Sequence, residues 1–132
     1  MVDWPEVERL LHELYAARLR GDLEAVCRSF SDGATLRIAG ASSVSPIGVT
    51  TTGIDQFRPL LNLLIKSFKL SDLTILSMTI DGLKAAVHWQ VKVYSKITGT
   101  TVLTELVDLV EVNDRQIVSF VEFFVPCPSS LK

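Results

Sequence analysis

TVLTELVDLVEV, residues 101–112, reads as a β-strand, rich in Val, Leu and Thr, with an acid, Asp108, in its apolar centre. A carboxylate in such a run must be paired, be neutral, or face a cavity that uses it. Similar β-rich runs cover 73–80, 84–96 and 117–125, separated by Asp81-Gly82, Thr98-Gly99 and Asn113-Asp114. Those separators have hairpin chemistry, so the second half predicts a four-stranded antiparallel meander. The neighbouring runs carry their own ionisable groups, His88 between Val87 and Trp89, and Glu122 between Val121 and Phe123.

The first half reads as helical. Pro5 opens an amphipathic helix in which Val7, Leu10, Leu11, Leu14, Tyr15 and Arg18 recur at helical spacing. Gly21-Asp22 ends it, with Asp22 placed to cap a second short helix that runs to about Phe30. Ser31-Asp32-Gly33 predicts a turn and 34–39 a short strand. Residues 40–52 are rich in Gly, Ser, Thr and Pro and predict a loop without regular structure. A third helix is expected over 53–68, burying Phe57, Leu60, Leu61, Leu64 and Ile65, with Pro59 arguing for a kink or a late start. Three helices followed by a meander make one α+β domain over residues 1–132.

The composition, 48% hydrophobic and 21% charged, is that of a globular protein. A net charge of −2 without a basic stripe argues against nucleic acid. The longest apolar stretch, around 60–65, is too short for a bilayer, and no signal peptide opens the chain, so a cytoplasmic protein is expected. Cys27 and Cys127 leave a disulfide open, but neither CxxC spacing nor clustered His suggests a metal site.

Alternation in the second strand places Ala85, Val87, Trp89, Val91 and Val93 on one face and His88, Gln90, Lys92 and Tyr94 on the other. Taken alone, this puts the odd face on the core and His88 in solvent. The next two strands are apolar on both faces: Leu106 and Val110 oppose Leu103, Val107 and Leu109, while Phe120 and Phe124 oppose Val121 and Phe123. Three helices cannot cover both faces of such a sheet, which predicts a second subunit on one of them.

The stretches Leu14-Tyr15-Ala16-Ala17-Arg18, Gly21-Asp22-Leu23-Glu24-Ala25-Val26 and Phe30-Ser31-Asp32-Gly33-Ala34-Thr35-Leu36 resemble the opening of the nuclear transport factor 2-like superfamily. Gly53-Ile54-Asp55-Gln56-Phe57 resembles its third-helix start, and 106–112 and 117–124 its closing strands. The SnoaL-like polyketide cyclases and the ketosteroid isomerases are the nearest subgroups. The resemblance implies a cone-shaped α+β barrel, three N-terminal helices packed in a strongly bent, mainly antiparallel sheet around a deep apolar pocket. It also implies a homodimer through the outer sheet face, and it reverses the simple facing rule. Asp108, His88, Gln90, Phe120, Glu122 and Phe124 would point into the pocket, joined by Tyr15, Phe57 and Leu61, while Val87, Trp89, Val91, Val107 and Leu109 would face the partner.

Asp108 matches the isomerase's oxyanion-hole aspartate, an acid that its apolar site keeps protonated. Tyr15 lies about one residue from the position of that family's oxyanion-hole tyrosine. The general base is missing, because its place falls on Ile38. The expectation is a protein that binds a small apolar or polyketide-like ligand, with Asp108 and His88 as acid/base candidates and no metal or organic cofactor. A non-catalytic ligand-binding or assembly domain is the alternative, and an epoxide hydrolase or dehydratase is a third reading that lacks a full set of polar groups.

Overall fold

The computed structural model describes residues 4–41 and 46–127. Three helices, α1 (Trp4–Arg20), α2 (Leu23–Arg28) and α3 (Ile54–Ser67), accompany six strands: β1 (Phe30–Ala41), β2 (Pro46–Thr52), β3 (Phe68–Asp81), β4 (Lys84–Ser95), β5 (Thr101–Asn113) and β6 (Gln116–Cys127). The helix punctuation works as the residues predict. Gly21 leaves α1 with φ +70° and its N–H returns to the Arg18 carbonyl, 3.2 Å. Asp22 then caps α2, its side chain accepting from the Ala25 N–H at 3.1 Å. α3 starts at Ile54, not late, and runs continuously through Pro59.

The six strands form one sheet in the order β2-β1-β6-β5-β4-β3, antiparallel except for the parallel pair β1–β6. The α+β class and the mainly antiparallel sheet hold, but β2 and β3 are its edges, so the sheet is not a closed barrel. The expected loop over 40–52 is corrected in part, because 46–52 is an edge strand running from Ala41↔Pro46 to Thr35↔Thr52 against β1. Pro46 and Gly48 are tolerated there because an edge strand lacks one set of ladder partners, and Pro46 is its first residue. Positions 42–45 of that stretch lie outside the described residues.

Facing is fixed by register. Val87 pairs with Asp108 and Trp89 with Leu106, so odd positions of β4 share a face with even positions of β5. Between β5 and β6 the pairing shifts at Val118: Val112 meets Ile117, but Glu111 meets Ser119 and Asp108 meets Glu122. That bulge changes the phase of β6 and brings Phe120, Glu122 and Phe124 onto the face of Asp108.

The inner face carries the core. Val87, Trp89 and Val91 are buried with Leu106, Val110 and Phe120 beneath α1, whose Val7, Leu11, Leu14 and Tyr15 complete it. The expectation that Val87, Trp89 and Val91 face a partner subunit is therefore corrected. They are the apolar side of an alternating strand, and the helices cover them. His88 and Gln90 lie on the opposite face, with Val107, Leu109 and Phe123, which keep 37%, 47% and 38% of their surface exposed. Cys27 is a buried free thiol. Among the described residues, no helix is long and apolar enough to cross a membrane.

Candidate functional site

Asp108 is fully buried, and its neighbours decide its chemistry. Tyr15, one turn before the end of the buried stripe of α1, donates its hydroxyl to Asp108 Oδ2. Trp89 donates its indole N–H to the same oxygen at 2.8 Å, and the Tyr15 and Trp89 rings stand 5.0 Å apart. Asp108 Oδ1 receives no donor and is closed off from solvent. Beside it on β6 is Glu122, the cross-strand partner of Asp108. An orphan carboxylate oxygen next to a second carboxylate is best satisfied by carrying the proton itself and donating it across the pair.

The electrostatics agree with that arrangement. Burial pushes the Asp108 carboxyl well above the usual range, and the Glu122 charge pushes it further, against the opposing pull of Arg18. Burial acts on Glu122 in the same direction, but the Arg18 charge and hydrogen bonds overcome it and hold Glu122 below its ordinary value. Arg18 grips Glu122 with both guanidinium nitrogens, at 2.5 and 3.2 Å, and stacks 4.9 Å above the Trp89 ring. Burial works against the Arg18 charge, yet Glu122 keeps it firmly protonated; burial and Asp108 together raise Tyr15. The cluster thus sets a carboxyl driven toward its neutral form beside an ion pair and two neutral donors.

Next to this cluster opens a cavity of about 1090 Å³ between the C-terminal end of α1, α3 and the inner sheet face. Its walls are mainly apolar, including Val26, Ile38, Leu61, Ile65, Val91 and Phe124. Phe124 lies over Gly40, where an added Cβ would sit 2.5 Å from its ring. The glycine makes room for that wall. Arg18, Glu122 and Trp89 face the cavity, whereas Asp108 and Tyr15 stand behind them and do not line it.

The expected site is thereby rearranged. Leu61, Glu122 and Phe124 line the cavity, while Phe57 and Phe120 are core residues whose rings pack on Phe30. Gln90 and His88 are corrected outright. Both lie on the far side of the sheet, where His88 Nε2 meets Glu105 at 2.5 Å on an exposed surface. A histidine there has no path to Asp108. Ile38, at the place of the missing base, is paired with Glu122 across β1–β6 and adds an apolar wall. Two participants escaped the sequence reading, Arg18 and Trp89. A signal existed for Arg18, a cation on the buried stripe of α1, which requires an inward carboxylate.

This geometry stands on a known scaffold. The SnoaL-like domain family matches residues 11–120. The chain belongs to the SnoaL-like family. No curated protein matches it by sequence. Among solved structures, a Bacillus subtilis protein described as a candidate isomerase aligns at 17% identity with TM-score 0.80, covering 94% of this chain and 89% of that one. A candidate SnoaL-like polyketide cyclase from Jannaschia sp. CCS1 aligns at 16% identity and TM-score 0.73, over 91% and 85% of the two chains. An LEH-like epoxide hydrolase of M. tuberculosis aligns at 15% identity and TM-score 0.71, over 91% and 83%. At such identities the likeness carries the fold, which this SnoaL-like protein shares with proteins of several chemistries.

Proposed function

We propose that this SnoaL-like protein binds a small, largely apolar molecule in the cavity between α1, α3 and the sheet. One observation carries the reading: apolar walls enclose a space of about 1090 Å³, with the Arg18–Glu122 pair as its inner polar contact. Such a site gives a ligand contact area from its walls and orientation from one polar end. The Trp89 ring lines the cavity and, once exposed Trp4 is replaced by Phe, supplies an intrinsic probe. Titration with bicyclic aromatic ketones and polyketide-like phenols is expected to change its fluorescence saturably, and Leu61→Arg is expected to abolish the change while the protein stays folded. If no compound of either class alters Trp89 emission or the melting temperature, the reading is lost.

A second reading, cofactor-independent acid/base catalysis of the cyclase or isomerase type, is favoured by the paired carboxyls. Their environments drive Asp108 up and Glu122 down, the separation that assigns a donor and an acceptor. Because Asp108 does not reach the cavity, Glu122 would meet the substrate and Asp108 would hold the proton behind it. Conversion of a bound ketone by wild type but not by Glu122→Gln supports this reading, and binding without conversion by wild type favours the non-catalytic one.

The outer sheet face suits a homodimer through Val107, Leu109 and Phe123, an apolar patch larger than isolated exposed residues require. Sedimentation is expected to give a dimer that Leu109→Lys converts to monomer. A wild-type monomer at micromolar concentration would refute it.

A further inference from the structure

The charges around the cavity run opposite to those of the chain. Overall there are 13 Lys and Arg against 15 Asp and Glu. Around the cavity stand four cations, Arg18, Arg20, Lys69 and Lys96, and one acid, Glu122, which Arg18 already neutralises. Of the three remaining cations, Arg20 is the last residue of α1 and Lys96 the residue just after β4. Lys69, the second residue of β3, pairs with Tyr94 and so presents its side chain to the outer face. Lys96 is exposed and, among the described residues, has no carboxylate within ion-pair distance. Arg20 has only a 3.4 Å contact with exposed Asp22. Lys96 is held in place through its backbone, whose N–H donates to the Ser67 carbonyl at 2.9 Å. The hydroxyl residues Ser95, Thr98 and Thr100 belong to the same rim.

Cations left unpaired around an apolar space raise the local concentration of anions and reward a ligand that places its charge in water and its body inside. The Arg18–Glu122 pair, being neutral as a unit, does not repel the apolar end. We propose that the ligand is an amphipathic anion, an apolar ring or chain ending in a carboxylate or phosphate, whose head lies at the Lys96–Arg20 rim and whose body fills the cavity. This rests on the reading of the cavity as a ligand site, and it names the class of ligand.

Matched probes test it: decanoate and 1-decanol, with decyl phosphate as the second anion, each titrated by calorimetry at neutral pH. At low salt, decanoate or decyl phosphate is expected to bind about tenfold tighter than decanol. The advantage is expected to shrink at about 0.5 M salt, because exposed charges are screened. In Arg20→Gln/Lys96→Gln, with an unchanged melting temperature, the anions are expected to fall toward the affinity of decanol. Preference for decanoate over decyl phosphate, or the reverse, identifies the head group. Equal affinity of anions and alcohol in the wild type overturns the inference and leaves the cavity reading intact, as does a preference that survives the double substitution. Binding of none of the three probes overturns the inference, and the cavity reading then stands or falls by the ketone and phenol titration.

Discussion

Strands β4 and β5 hold two hydrogen-bonded side-chain pairs one residue out of phase, and the two have opposite characters. Trp89 and Asp108 meet on the inner face at 2.8 Å, both with 0% of their surface exposed. His88 and Glu105 meet on the outer face at 2.5 Å, with side chains 37% and 48% exposed. The bonds look alike, but what each would lose on breaking differs. Outside, water replaces a lost partner, and such pairs contribute at most about 1 kcal/mol. Inside, nothing replaces it, so the partner left behind bears a desolvation penalty. The inner pair therefore fixes the position of the Trp89 wall, and the outer pair only decorates a surface.

Substitutions sharpen or break this contrast. The largest effect is expected from Asp108→Ala, which strands the Tyr15 hydroxyl and Trp89 N–H in the core. It should cost about 3–5 kcal/mol in urea unfolding. A loss below about 1 kcal/mol would mean that the inner pair is no different from the outer one.

Asp108→Asn is the more discriminating change, because an amide mimics a protonated acid. A carboxyl with a raised folded pKa binds its proton more tightly folded than unfolded. Its contribution is full below the ordinary value of 3.8 and is lost as pH rises toward the folded value. Asn cannot titrate, so the stability of wild type relative to Asp108→Asn should decline as pH rises above about 4. At neutral pH the two should lie within about 1.5 kcal/mol. A difference that instead grows in favour of wild type above pH 4 would show Asp108 to be ionised. The smallest effect is expected from Glu105→Gln on the outer face, within about 1 kcal/mol by the same unfolding measurement, and diminished by salt.

Much of the fold was legible. Pro5, Gly21-Asp22 and the hairpin separators mark element boundaries through fixed backbone preferences, and these act locally. The edge strand β2 was not legible, because Gly, Ser, Thr and Pro describe both a loop and a tolerant edge, and only pairing with β1 separates them. For the site, the position of Asp108 stood out and its partners did not. The plain alternation of β4 placed Trp89 inward correctly, and the facing implied by the resemblance did not. The hydrophobic pattern of a strand reports its own burial, whereas a likeness transfers facing only when register is shared.

The sequence by itself determined the helices, the strands of the meander, and the demand that the acid within LVDLV be satisfied, since these depend on neighbours along the chain. The tertiary structure decided which groups satisfy it. The bulge at Val118 turns Glu122 toward Asp108, the β4–β5 register turns Trp89 inward and His88 outward, and α1 delivers Tyr15 and Arg18 from more than 90 residues away. A charge in an apolar run announces itself in one dimension. Its counterparts exist only once the chain has closed in three.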